Sequence, residues 1–107
     1  MKWHIDPTKL CIHNKLVFTR SYFTNGKLWY ERHFLNGQLH NLNGPAYRIW
    51  YDNGLLRIEL YYLNGNLHNP NGPAYRIWYD NGQLWYEEYW LNGERLSQAQ
   101  FLAKLNK

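Results

Sequence analysis

The sequence predicts an all-β fold: tandem antiparallel β-hairpin repeats on a 28-residue period, forming a twisted meander sheet with a short C-terminal capping helix. Three observations carry this. The dodecapeptide NGPAYRIWYDNG stands at 43–54 and again, unchanged, at 71–82. Asn-Gly pairs begin at 25, 36, 43, 53, 64, 71, 81 and 92, on a beat of 11, 7 and 10 residues. The segments between them, such as AYRIWYD and LLRIELYYL, are dense in the aromatic and β-branched residues that suit strands.

The repeat is the strongest signal, and a fixed period changes the reading of everything else. Aligning 43–70 with 71–98 gives 18 identities in 28 positions, and a more divergent copy at 15–42 keeps Arg20, Asn25, Gly26, Leu28, Glu31, Leu35, Asn36 and Gly37 in phase. Asn-Gly between strand-like runs marks a hairpin, because a type I′ turn needs φ > 0 at both central residues. All eight glycines follow asparagine, and all are read as turn residues.

A two-residue loop at Asn53-Gly54 sets the register of the middle hairpin. Asp52 then faces Leu55, Trp50 faces Arg57, Ile49 faces Ile58 and Arg48 faces Glu59. The same offset predicts Arg20–Glu31 with Tyr22–Trp29, and Arg76–Glu87 with Trp78–Trp85. Three hairpins thus repeat one opposite-charge pair and one aromatic-containing pair, of the kind that contributes roughly 0.2–1 kcal/mol across a sheet. Alternation assigns Tyr47, Ile49, Tyr51, Leu56, Ile58, Leu60 and Tyr62 to a core face, joined by Ile77, Tyr79, Leu84 and Tyr86. Arg48, Trp50, Arg57, Glu59, Tyr61, Arg76, Trp78, Trp85, Glu87 and Tyr89 fall on the opposite face. The turn at Asn64-Gly65 leads into a short NLH strand and then Asn71-Gly72-Pro73, where proline suits a strand entrance, so each repeat is read as two long strands and a short return strand.

One domain of 1–107 is expected, with an N-terminal cap at 1–14, repeats at 15–42, 43–70 and 71–96, and a helical segment at 97–107. Repeat arrays need closed ends. Ser97-Gln98-Ala99-Gln100 reads as a capping box, with Leu96 and Phe101 as a hydrophobic staple; the helix over 98–106 is expected to close the sheet with Phe101, Leu102 and Leu105. At the other end Asp6-Pro7-Thr8-Lys9 suits a turn between two short strands.

Composition narrows the function classes. Aromatic residues make up 19% of the chain, and such rings can each cover about 150–250 Å² of a thin sheet. The net charge of +4 is uneven: residues 1–42 carry +4, 43–98 carry −2 and the tail +2. That pattern argues against a continuous nucleic-acid track. The single cysteine, Cys11, rules out an intramolecular disulfide framework, and buried hydrophobe is its commoner fate. There is no signal-peptide h-region and no apolar run long enough to span a bilayer, so a cytoplasmic protein is expected.

The phrase Leu39-His40 with Asn43-Gly44-Pro45-Ala46, and again Leu67-His68 with Asn71-Gly72-Pro73-Ala74, resembles MORN-type repeats. It is most similar to the longer variant found in antitoxin-like proteins of bacteria, phages and large viruses. The resemblance covers about 15–96. It implies a protein-interaction surface and no catalytic residues. The Tyr-x-Gly phrase that opens a typical MORN unit is missing, so the lipid binding proposed for such proteins carries over weakly.

Site chemistry is sparse. His40 and His68 hold equivalent places, yet a metal needs three or four converging donors, so both are read as bracing the Asn-Gly-Pro turn by satisfying a loop carbonyl. Glu31, Glu59 and Glu87 each face an arginine, which lowers a carboxyl pKa where a general acid wants it raised. No enzyme, cofactor or metal is therefore expected. What remains is a face of residue types enriched at binding hot spots: Trp29, Arg48, Trp50, Arg57, Arg76, Trp78, Trp85 and Tyr89. The expected function is a non-catalytic module that binds a protein partner, with an antitoxin, immunity or anti-defence inhibitor role implied by the resemblance. The alternative is a single-stranded nucleic-acid binder that stacks bases on the tryptophans. Homo-oligomers through the sheet edges are a further expectation.

Overall fold

A computed structural model describes residues 15–106. The expected N-terminal cap, with His4, Cys11 and His13, lies outside the described residues. Among the described residues ten strands precede one helix: β1 (Leu16–Tyr22), β2 (Leu28–Leu35), β3 (Gln38–Leu39), β4 (Tyr47–Trp50), β5 (Leu56–Leu60), β6 (Tyr62–Leu63), β7 (Asn66–Leu67), β8 (Tyr75–Trp78), β9 (Leu84–Leu91), β10 (Glu94–Leu96) and α1 (Gln98–Leu105). The long strands run β1-β2-β4-β5-β8-β9-β10 in one antiparallel sheet. The short strands return on their neighbours, β3 on β2 and β7 on β6. Strands hold 49% of the described residues, in an open meander rather than a closed barrel.

The charged register is as the turn spacing predicts: Arg20↔Glu31, Arg48↔Glu59 and Arg76↔Glu87. The aromatic pairs are not. Trp50 lies opposite Leu56, Tyr22 opposite Leu28 and Trp78 opposite Leu84, each next to a β-bulge. The turn chemistry explains the shift. At Asn53-Gly54 only the glycine has positive φ, +91°. Gly54 N–H donates to the Tyr51 carbonyl at 3.0 Å, and Tyr51 N–H to the Leu55 carbonyl at 2.9 Å. This is a three-residue loop closed by a glycine bulge; it moves the pair beside it by one place, and the bulge that leaves Arg57 unpaired restores the expected register from Ile49↔Ile58 onward. Asn25-Gly26 and Asn81-Gly82 follow the same form.

Among the described residues asparagine itself takes positive φ only at Asn36, Asn64 and Asn92, so the type I′ turns there are those three. At Asn43-Gly44 and Asn71-Gly72 neither residue has positive φ. There the preceding asparagine organises the loop. Asn41 Nδ2 donates to the Pro45 carbonyl and its Oδ1 accepts from Asn43 N–H; Asn69 repeats both bonds with Pro73 and Asn71.

No single face forms a core, contrary to the alternation argument. The molecule is only 16 Å through its thinnest axis. Among the described residues the buried apolar side chains are Ala46, Ala74, Leu96 and Phe101. Glu59, placed on the open face by alternation, and its equivalent Glu31 are among the most buried side chains, while Tyr79, Leu84 and Tyr86, placed in the core, are exposed. Among the described residues, one eight-stranded sheet, a two-stranded ribbon and one short helix cannot cover either face, so the rings shield the sheet side by side instead of meeting a second layer.

The capping box forms as expected: Gln100 N–H donates to Ser97 Oγ, and Ser97 N–H donates to Gln100 Oε1. Phe101 is buried, its ring 4.8 Å from that of Tyr89. Leu102 and Leu105 stay exposed, so the helix covers the sheet end through Phe101 with Leu96 and not through the three residues expected. This helix falls far short of a membrane span, and no helix among the described residues is long and apolar enough for one.

Candidate functional site

Two of the three arginines expected on a recognition face, Arg48 and Arg76, are engaged by carboxylates, and Arg20 joins them in the same row. Arg20 Nε lies 3.3 Å from Glu31, and Arg48 bridges Glu31 at 3.6 Å and Glu59 at 3.7 Å. Arg76 then bridges Glu59 at 3.6 Å and Glu87 at 3.4 Å. The result is one alternating ladder crossing six strands. The pairs within each hairpin were legible from the turn spacing. Those between repeats, on β2·β4 and β5·β8, join strands that no turn connects.

The nominated tryptophans divide. Trp50 and Trp78 are half-buried beside the bulges, and the Trp78 carbonyl accepts from the Tyr51 hydroxyl at 2.7 Å. Tyr89 is covered by Phe101. Trp29, Arg57 and Trp85 are exposed and occupy equivalent places at the three hairpin tips. Each meets the residue just before its turn: Phe23–Trp29 with ring centres 5.6 Å apart, the Arg57 guanidinium 5.4 Å over the Tyr51 ring, and Tyr79–Trp85 at 5.9 Å. Alternation alone puts Tyr51 and Tyr79 on the face away from Arg57 and Trp85; the bulge brings them into contact.

The tips are tied to one another. Asn25 Nδ2 donates to the Asp52 carbonyl at 2.9 Å, and Asn53 Nδ2 to the Asp80 carbonyl at 2.8 Å. Lys27 Nζ reaches the Asn53 carbonyl at 3.4 Å. Each of these asparagines also accepts, through Oδ1, the amide two residues on, so one side chain fixes its own turn and the neighbouring one. Sequence reasoning missed this role, although asparagine recurs at 25, 53 and 81 on the repeat period.

At the opposite ends of the strands, two grooves lie beside the Asn-Gly-Pro loops. One, of about 450 Å³, is lined chiefly by Asn41, Asn43, Tyr61, His68, Asn69 and Arg76. The other, of about 350 Å³, is its counterpart one repeat earlier, with Val17, Phe18, His33, Phe34, His40 and Leu42. Their polar groups are largely committed. Both asparagines at 41 and 69 close their loops, and His40 and His68 accept, through Nδ1, the amides of Asn64 and Asn92 at 2.9 Å. The histidines thus brace the next type I′ turn, as acceptors, rather than a carbonyl of the Asn-Gly-Pro loop. No cluster of three or more metal-ligating side chains occurs among the described residues.

Near the last strand, Glu88 holds a small network. Tyr86 hydroxyl donates to it at 2.7 Å and Trp90 Nε1 at 2.9 Å, with Arg95 3.5 Å away. Burial alone would raise its pKa, but these donors and the arginine outweigh it and hold the carboxyl below its ordinary value. The bond to Glu88 is in turn the main cause that raises the Tyr86 hydroxyl.

Hairpins of fixed register, three equivalent tips and a one-layer sheet define a tandem-repeat scaffold. The MORN repeat variant family matches residues 19–40 and 74–92. The chain thus carries MORN-like repeats, and the hairpin between the two matched stretches repeats their register. No curated protein and no solved structure matches the chain.

Proposed function

We propose that this chain is a non-catalytic protein-interaction module whose recognition surface is the row of stacked side chains at its hairpin tips: Phe23–Trp29, Tyr51–Arg57 and Tyr79–Trp85. The observation that carries this reading is their repetition on tips locked together by Asn25 and Asn53. Exposed Trp, Tyr and Arg held rigidly in advance lose little freedom on binding, and preordering of this kind raises affinity. A protein is favoured over single-stranded nucleic acid because Arg20, Arg48 and Arg76 already face carboxylates, which leaves little excess positive charge for phosphates. An inhibitory, antitoxin-like role, as the repeat type implies, is one use of such a surface.

The test is capture by the immobilised full chain, with identification of what is retained, followed by titration of that protein. Trp29→Ala with Arg57→Ala, at tips remote from the last strand, is expected to weaken binding by more than about 2 kcal/mol with an unchanged circular dichroism spectrum. Retention of nucleic acid alone, or a protein bound equally by the double variant, would overturn the reading.

A further inference from the structure

We propose that the two ends of the sheet are complementary to each other, and that a second copy of this chain docks head-to-tail, its β1 against the outer edge of β9. The repeat supplies the geometry. Arg20 on β1, Arg48 on β4 and Arg76 on β8 are equivalent, as are Glu31 on β2, Glu59 on β5 and Glu87 on β9. Both junctions between repeats share one register, Glu31↔Arg48 and Glu59↔Arg76. Continued by one step, that register sets Glu87 of one copy against Arg20 of the next.

The charges at the two ends fit this continuation. Glu31 and Glu59 each lie between two arginines, and their side chains are 11% and 10% exposed. Glu87 meets only Arg76 and is 33% exposed. At the far end Arg20, among the described residues, meets only Glu31 and is 50% exposed. The ladder therefore ends in an open cation on β1 and an open anion on β9, which attract one another and repel their own kind.

The hydrogen bonds that join repeats are interrupted at the same place. Asn25 and Asn53 donate across their junctions to the Asp52 and Asp80 carbonyls, and Tyr51 donates to that of Trp78. Asn81 and Tyr79 hold the next equivalent positions, and among the described residues their Nδ2 and hydroxyl make no hydrogen bond. In a docked copy the equivalent carbonyls are those of Thr24 and Tyr22. The helix leaves room for this docking, since Phe101 covers Tyr89 while Leu84, Trp85 and Tyr86 stay exposed. Phe18 and Tyr22 are exposed on β1. An open strand edge with apolar neighbours invites strand pairing.

Sedimentation equilibrium of the full chain tests this. The weight-average mass is expected to rise with concentration above that of one chain. Glu87→Lys alone and Arg20→Glu alone should each stay monomeric while keeping the β-sheet circular dichroism spectrum. Mixing the two should restore association, because the new lysine at position 87 meets the new glutamate at position 20. Tyr79→Phe guards against unfolding as the cause, since phenylalanine already holds the equivalent position at Phe23. It should keep the parent's melting temperature and associate about fivefold more weakly, the worth of one hydrogen bond. A parent that is monomeric throughout, association indifferent to Glu87→Lys, or folded charge variants whose mixture fails to associate would each overturn the proposal. Because none of these variants touches Trp29 or Arg57, failure here leaves the hairpin-tip reading standing.

Discussion

His33 stands on β2 where Tyr61 and Tyr89 stand in the later repeats, and its ring lies 4.5 Å from that of Phe18. Burial, reinforced by Arg48 and Arg20 and opposed by Glu31, holds its pKa below the ordinary 6.5. A lowered value means that the unfolded chain takes up the proton first. The stability this histidine contributes is full above 6.5 and is lost as pH falls from there through the folded value. His33→Tyr, which installs the residue of the equivalent positions, should remove that part of the acid sensitivity. Urea midpoints from about pH 7.5 down to about pH 5, the range in which histidine titrates, should fall less steeply for the variant than for the parent. Equal slopes would show that His33 is not a source of the loss. The glycines show how far a single residue type can be read. Gly54 and Gly44 follow asparagine alike, yet only Gly54 needs positive φ. The difference arises from Asn41, which closes the second loop through its side chain, and dipeptide spacing carries no trace of that.

Hairpins are the level at which the sequence was most informative, because a turn of known length dictates every pair beyond it. The Arg–Glu pairs followed from that rule. Trp50–Arg57 did not, because a three-residue loop with a bulge replaces the two-residue turn and moves only the last pair. The Arg57–Tyr51 contact, and with it the tip row, was hidden by the same single residue. The ladder itself yields a prediction about elements. Arg48 serves two nearly buried carboxylates on strands of different repeats, so Arg48→Ala takes one of two arginines from each, Glu31 keeping Arg20 and Glu59 keeping Arg76, and should cost about 1–2 kcal/mol for the two bridges together. Arg20→Ala should cost less than about 1 kcal/mol, since Glu31 keeps Arg48. Paired denaturation curves of the two variants check this; equal losses would mean that bridging between repeats adds nothing.

A molecule 16 Å thin, with a radius of gyration of 17.3 Å, is far more extended than a compact domain of this length, for which about 13 Å is usual. Each hairpin meets only its neighbours, so stability is close to a sum of units and junctions. Amide hydrogen exchange should therefore grade along the sheet: slowest on β4 and β5, which have neighbours on both sides, and faster on β1 and on Leu84–Tyr86 of β9. Uniform protection across all strands would point to one cooperative core instead. Repetition and all-β character were legible because they are periodic. The absence of a buried face was not, since alternation says which residues share a side and nothing about whether a second layer arrives to cover it.

The asparagine bonds that tie one hairpin tip to the next make the array a ruler. Neighbouring tips are two strands apart, which at the usual strand spacing is about 10 Å, and each Asn-to-carbonyl bond holds that interval against fluctuation. Inserting or deleting one whole 28-residue unit would lengthen or shorten the row by one graduation and leave every other mark in place. A change of any other length would throw the following marks out of phase. A ligand that reads three graduations at once is selected by its own periodicity before any individual contact is weighed.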